Sequence, residues 1–322
     1  MTVDPSAMHT TDANNAYGTG STSGTGNTDS TGGTGGTGGT GGAGGTDDWK
    51  LDRTFRSSSG EVRWATLGSP DLPPAVLVHG TPFSSYVWRA VARALAPTHH
   101  VHVWDLPGYG TSEMYDGQDV SLAAQGRVFA ELLDHWGLDR PAVVAHDFGG
   151  CIALRAHLLH GARYERLALV DPVALAPWGS PTYRLLGANA EVFGRLPGPL
   201  HRALVREYVS SASHRGLHPA ALDRVAEPWC TQEGQPAFYR QIAQNDQRYT
   251  DEIQGRYGEL ELPVLICWGT EDTWIPVAKA SELAAAIPGA GLRLIEGAGH
   301  LVQEDAPAEL TAALAPFLDQ RG

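Results

Sequence analysis

Residues 141–150 read PAVVAHDFGG, and this stretch decides the fold. A run of small and branched apolar residues stops at His146 and Asp147. Two glycines follow, and GCIALRAHLLHG (150–161) then takes up a helical pattern. An apolar run without alternation is the signature of a strand covered on both faces, as in the interior of a parallel sheet. Working outward, seven similar runs appear: WKLDRTF (49–55), EVRWATLG (61–68), AVLVHG (75–80), HHVHVWDLPG (99–108), RLALVDPV (166–173), PVLICWG (263–269) and LRLIEGAGH (292–300). Helical stretches lie between them at 84–96, 121–137, 277–287 and 307–320. In the second of these, Leu122, Val128, Phe129, Leu132, Leu133 and Trp136 recur at three- and four-residue steps, giving one apolar face.

Strands alternating with helices predict an α/β protein with a mostly parallel, doubly wound sheet and its site at the carboxyl ends of the strands. The alternation breaks over 172–261, a segment rich in Pro, Arg and aromatics with no strong strand, which is expected to be an inserted helical cap. The core then comprises 49–171 and 262–322. Residues 1–48, with the run TGGTGGTGGTGGAGGT and almost no large apolar side chain, are expected to be a disordered Gly/Thr-rich tail, because too little surface can be buried to offset the entropy of ordering it.

The formal net charge is −13, and five of the acids fall in the tail, so the folded part remains acidic without a basic stripe. That argues against nucleic acid as a partner. No apolar run approaches a membrane span, and the N-terminus lacks the basic start and apolar stretch of an export signal. A cytoplasmic location is expected. Cys151, Cys230 and Cys267 are odd in number and irregularly spaced, which favours free thiols over disulfides or a zinc site.

Polar residues stand at three expected strand ends. Ala145-His146-Asp147-Phe148-Gly149 has the form small-x-nucleophile-x-small, in which a tight turn exposes the central side chain and aims the next N–H at the same spot. The competing reading is an aspartate that merely caps the following helix. Trp268-Gly269-Thr270-Glu271-Asp272 places a carboxylate after its strand, with Asp171 as the fallback acid, and Gly297-Ala298-Gly299-His300 places a base after the last one. Nucleophile, acid and base in that order are weak signals singly and a strong one together. His79-Gly80-Thr81-Pro82 offers a second amide, so Thr81 and Phe148 are the expected oxyanion donors. Gly108-Tyr109-Gly110-Thr111-Ser112 is read as a supporting turn.

Taken together, HGTP, GYGTS, HDFGG, WGTED and GAGH resemble the epoxide hydrolase and haloalkane dehalogenase branch of the α/β-hydrolase superfamily, over residues 49–322. The resemblance implies the α/β-hydrolase fold and a two-step reaction. Asp147 attacks carbon to form an ester, and His300, oriented by Asp272, activates the water that hydrolyses it. Dehalogenases usually hold the halide with a Trp after the nucleophile and an Asn or second Trp elsewhere; Phe148 and Thr81 stand here instead. Epoxide hydrolases use cap tyrosines to protonate the opening oxygen. By resemblance Tyr239 takes that role, helped by Trp178 or Tyr183, while Tyr183, Phe238 and His146 are expected to contact substrate, His146 being read at the same time as a buried strand-end residue with a hydrogen-bond role. The Trp178/Tyr239 pairing is similar to actinobacterial epoxide hydrolases of aromatic polyketide (angucycline-type) biosynthesis, and it implies a bulky or aromatic substrate in a roomy pocket and a place in secondary metabolism. The expectation is thus an epoxide hydrolase acting on a small-molecule substrate without metal or organic cofactor, with no membrane partner and with a homodimer allowed. The alternatives are a haloalkane dehalogenase and a non-catalytic ligand receptor on the same fold.

Overall fold

A computed structural model describes residues 49–320; the expectation for the Gly/Thr tail lies outside the described residues. Eight strands form one sheet: β1 (Arg53–Ser57), β2 (Gly60–Leu67), β3 (Pro74–Val78), β4 (His100–Trp104), β5 (Ala142–His146), β6 (Arg166–Val170), β7 (Val264–Gly269) and β8 (Gly291–Ile295). Their order is β1-β2-β4-β3-β5-β6-β7-β8. The pairs β1–β2 and β2–β4 are antiparallel, and every pairing from β4 to β8 is parallel. The chain leaves β3 to one side through α1 (Arg89–Leu95) to reach β4, then returns through α2 (Leu122–Trp136) to β5 on the other side. Such a reversal opens a crevice beyond the carboxyl ends of β3 and β5, where ligands bind in doubly wound sheets.

Local sequence explains the layers. Residues of β3, β5, β6 and β7 are almost all buried, as their unbroken apolar runs require. Helix α2 begins where the Ser121 hydroxyl accepts the Ala124 N–H and ends at Gly137 in the left-handed region (φ 68°). Its Leu122, Val128, Phe129, Leu132 and Leu133 are buried, and each such side chain contributes about 1.5–3 kcal/mol. Helices α3 (Phe148–His160), α10 (Ala278–Ala286), α11 (Val302–Asp305) and α12 (Pro307–Asp319) complete the two faces.

Between β6 and β7 the chain forms α4 (Pro181–Ala188), α5 (Ala190–Phe193), α6 (Gly198–Ser210), α7 (Pro219–Ala226), α8 (Gly234–Ala243) and α9 (Arg248–Gln254). This segment is tied to the carboxyl edge of the sheet by hydrogen bonds, one buried and one partly buried. The Trp229 indole donates to the Pro82 carbonyl at 2.7 Å, and Gln244 accepts the Val120 N–H at 2.7 Å. No described helix is long and apolar enough to cross a membrane. All three cysteines are free thiols; Cys151 and Cys267 are buried, whereas Cys230 is only half-buried.

Candidate active site

Asp147 follows β5 directly and adopts φ 52°, ψ −121°, a backbone region strained for any residue with a Cβ. The surrounding main chain enforces that conformation. The Asp147 N–H donates to the Val170 carbonyl, and its own carbonyl accepts the Gly150 and Val173 amides at 2.9 and 3.0 Å. The flanking glycines are required by close approach: a Cβ on Gly149 would lie 2.6 Å from the Val78 carbonyl oxygen, and one on Gly150 would lie 2.5 Å from Pro172. On the facing loop, a Cβ on Gly80 would lie 2.3 Å from the Asp147 carboxylate. The turn therefore presses the carboxyl group against the loop after β3.

That loop supplies a donor. The Thr81 N–H bonds Asp147 Oδ1 at 2.7 Å. The loop is fixed by His79, whose Nε2 accepts the Leu106 N–H at 2.9 Å and whose Nδ1–H therefore donates to the Gly80 carbonyl. From the other side His300 Nε2 stands 3.3 Å from Asp147 Oδ2, a charge contact without hydrogen-bond alignment. Its Nδ1 donates to Asp272 Oδ2 at 2.9 Å, while Asp272 Oδ1 accepts the Trp274 and Ile275 amides at 2.7 and 2.9 Å. Burial alone would pull His300 down, but the Asp272 and Asp147 carboxylates outweigh it and hold the imidazole well above its ordinary range. The Asp305 carboxylate accepts the Gly299 N–H at 2.7 Å, and Leu301 donates to the Ala212 carbonyl at 2.9 Å, so the loop carrying His300 is pinned on both sides of it.

His146, the last residue of β5, lies beneath this arrangement and does not line the pocket, which corrects its expected substrate contact and leaves it the buried, hydrogen-bonding residue that its place beside the nucleophile implies. Its Nε2 donates to the His300 carbonyl at 2.9 Å, and burial beside the His300 ring pulls it down to about 3, so it is a neutral support. The Trp274 ring stacks on His300 with centroids 5.0 Å apart.

A cavity opens above Asp147, lined by Phe148, Trp178, Tyr183, Tyr208, Trp274 and Ile275 among others. Its volume is about 30 Å³, far from the roomy pocket expected of so aromatic an insertion. Tyr239, the expected proton donor, does not line it. The Tyr239 hydroxyl points away and donates to His201 Nδ1 at 2.8 Å, the His201 Nε2–H being engaged by the Trp229 carbonyl. Burial pushes Tyr239 up to about 12. Phe238 is likewise absent from the lining, fully buried against His201, Tyr208 and Trp229. Trp178 does line the cavity, yet its indole N–H is donated to Thr250 Oγ1 at 2.9 Å, which removes it as a donor to a ligand. The Trp274 N–H is likewise given to Ser211 Oγ at 3.1 Å. Tyr183 lines the cavity, with its hydroxyl 3.5 Å from the Ile242 carbonyl. Tyr208, which the sequence offered only as one aromatic among several, lines it too, and its hydroxyl bonds no described residue. Burial, reinforced by the Asp147 charge, holds the Tyr208 hydroxyl far above its ordinary range, so it remains a phenol.

Asp171, Asp272 and His300 bring ligand atoms within 4.8 Å of one another. His300 Nδ1 and Asp272 Oδ2 already bond each other, so these two atoms are engaged within the protein.

A family model described as the alpha/beta hydrolase fold matches residues 73–307. The chain belongs to the α/β-hydrolase family. A solved α/β-hydrolase fold protein from Burkholderia ambifaria is 47% identical, with a TM-score of 0.80 over 83% of this chain and 98% of that one. Among named relatives, epoxide hydrolase A of Mycobacterium tuberculosis is 29% identical over 83% of this chain and 97% of its own length. Haloalkane dehalogenase 2 of Mycobacterium bovis is also 29% identical, over 81% and 93%. The α/β-hydrolase frame thus carries relatives of both activities at equal identity.

Proposed function

We propose that the protein is an epoxide hydrolase that opens a compact, uncharged epoxide to a diol through an ester on Asp147. One observation carries the choice. The tryptophans of the cavity have given their N–H groups to Thr250 and Ser211, whereas the Tyr208 hydroxyl stays free. A halide leaving group needs N–H donors; an epoxide oxygen becoming an alkoxide needs an O–H that can surrender its proton. With no Lys or Arg in the wall, a carboxylate-bearing substrate finds no counter-charge, and the small volume favours a short substituent over an aromatic polyketide.

In the first step Asp147 Oδ2 attacks an epoxide carbon, the C–O bond breaks, and the oxygen takes the Tyr208 proton with Tyr183 alongside. Forming the ester removes one of the two charges that hold the proton on His300, so the imidazole gives that proton up to solvent and stands neutral to act as base, regaining it once Asp147 is ionised again. Water then attacks the ester carbonyl as His300 takes its proton, and the Thr81 N–H, with that of Phe148, holds the oxyanion. Collapse releases the second diol oxygen, which takes the proton back from His300. The proton left on the regenerated Asp147 carboxyl restores Tyr208.

Repeated turnover in ¹⁸O-water should place label in the Asp147 carboxyl group, and a His300→Gln variant should accumulate the alkyl-enzyme. Turnover of small epoxides with no label in Asp147 would sink the covalent route. Halide release from chloro- or bromoalkanes with epoxides untouched would select the dehalogenase instead.

A further inference from the structure

Asp171 is a buried acid that the mechanism above does not use. It directly follows β6 with φ 41°, one of two non-glycine residues in the left-handed half of backbone space among those described; the other is Asp147. A strained strand-end acid aimed at the triad suggests a role there. Its Oδ1 accepts the Gly269 N–H at 2.9 Å, and its Oδ2 is buried without a partner. No described Lys or Arg is ion-paired with it. The groups that face it are Asp272 from the loop after β7, Cys267 within β7 and His300 from the loop after β8, with Asp147 beyond the imidazole.

We infer that Asp171 and Asp272 share one proton beside His300, with Asp171 its holder, a positioning residue for Asp272 and the reserve partner of the imidazole. The inference rests on the two-step reading for its kinetic arm alone.

The donor inventory decides which acid keeps the proton. Asp272 accepts three N–H groups, from Trp274, Ile275 and His300, whereas Asp171 accepts one. Hydrogen bonds to the ionised form favour it, and two carboxylates this close in a buried site do not both ionise. The proton therefore settles on Asp171, where it turns the unpartnered Oδ2 from an unsatisfied acceptor into a donor within reach of Asp272. Burial and the Asp272 charge push Asp171 well above the usual carboxylate range, in agreement with that placement. A donated O–H holds the Asp272 carboxylate in register and draws off part of its charge, which eases proton release from His300 in the ester. If Asp272 is neutralised, the repulsion disappears, and Asp171 can ionise and take up the imidazolium.

Three variants and one spectrum test this. Asp171→Asn reproduces the neutral acid, so the acid limb of ester hydrolysis should be unmoved. An acid limb lowered by about one unit or more would mean that Asp171 was ionised, overturning the inference. Asp272→Asn should retain hydrolysis at roughly 1% of wild type, and the Asp171→Asn/Asp272→Asn double variant should fall at least about tenfold further. A double variant no slower than Asp272→Asn would remove the reserve role. Infrared spectra of the resting wild-type enzyme at neutral pH should contain a protonated-carboxyl band that shifts in D₂O, and its absence would overturn the shared proton even if a variant fails to fold. If no alkyl-enzyme forms from epoxides but the band is present, the epoxide reading fails and the shared proton stands.

Discussion

Tyr208 and Tyr239 are both buried aromatic residues of the inserted helices, and what separates them is where each hydroxyl goes. Tyr208→Phe removes an O–H over Asp147 that bonds no described residue and should lower kcat/KM for an epoxide by about 10²–10³-fold, the scale of a lost general acid. Tyr239→Phe breaks only its bond to His201 and should leave kcat/KM within about threefold, while costing about 1–3 kcal/mol of stability because the His201 Nδ1 loses its donor. Steady-state kinetics beside urea unfolding separates the two, and the reverse pattern would return the role to Tyr239. The sequence could not make this distinction. In α6 the buried positions His201, Val205, Tyr208 and Val209 form one stripe, so spacing alone could have turned Tyr208 inward. In α8, Ala237, Phe238, Tyr239, Gln241 and Ile242 are all buried, so inward and site-facing are different properties there. Asp147, Asp272 and His300 were legible for a contrasting reason. Each stands at the end of a strand whose apolar run is visible, and strand ends fix position without any knowledge of how helices pack.

At the scale of elements, α8 and the loop after β3 meet through one side chain. Gln241 Oε1 accepts the Thr81 hydroxyl at 2.8 Å and the Tyr109 hydroxyl at 3.0 Å, and it is 1% exposed. Thr81 is also the residue whose N–H holds Asp147 Oδ1, so Gln241, together with the Trp229–Pro82 bond, couples the inserted helices to the oxyanion loop. Gln241→Leu would fill similar space yet strand two buried hydroxyls, at a cost of about 1–3 kcal/mol each at most. The expected result is a lower melting temperature together with a fall in kcat of about tenfold, since a displaced amide weakens a preorganised donor. A loss of stability with kcat unchanged would mean that the loop holds its shape unaided. This contact was invisible in the sequence: positions 81, 109 and 241 lie in three separate motifs, and only the folding of α8 over the sheet edge brings them together. The interior strands β3, β5, β6 and β7, by contrast, follow from local apolar runs.

For the whole molecule, buried histidines set how stability responds to acid. His102 in β4 packs between the rings of His100, Trp64 and Trp136, and burial with the neighbouring His100 pulls it down to about 4. His146 is pulled further, to about 3. In the unfolded chain both titrate near their ordinary value of about 6.5, so between that value and the folded value the unfolded state binds more protons. Their contribution is therefore complete above pH ~6.5 and lost as pH falls toward about 4 and below, with His102 alone worth roughly 3 kcal/mol across that window. His300 acts in the opposite sense. Its folded value is raised, so the stability from its ion pairs is complete below pH ~6.5 and lost as pH climbs through that raised value. The two trends together place the stability maximum near neutrality. Urea midpoints measured from pH 4 to 8 should fall steeply on the acid side, and His102→Phe should flatten that slope by about one proton's worth. An acid slope identical in His102→Phe and wild type would show that the exposed carboxylates, and not the buried imidazole, govern acid unfolding.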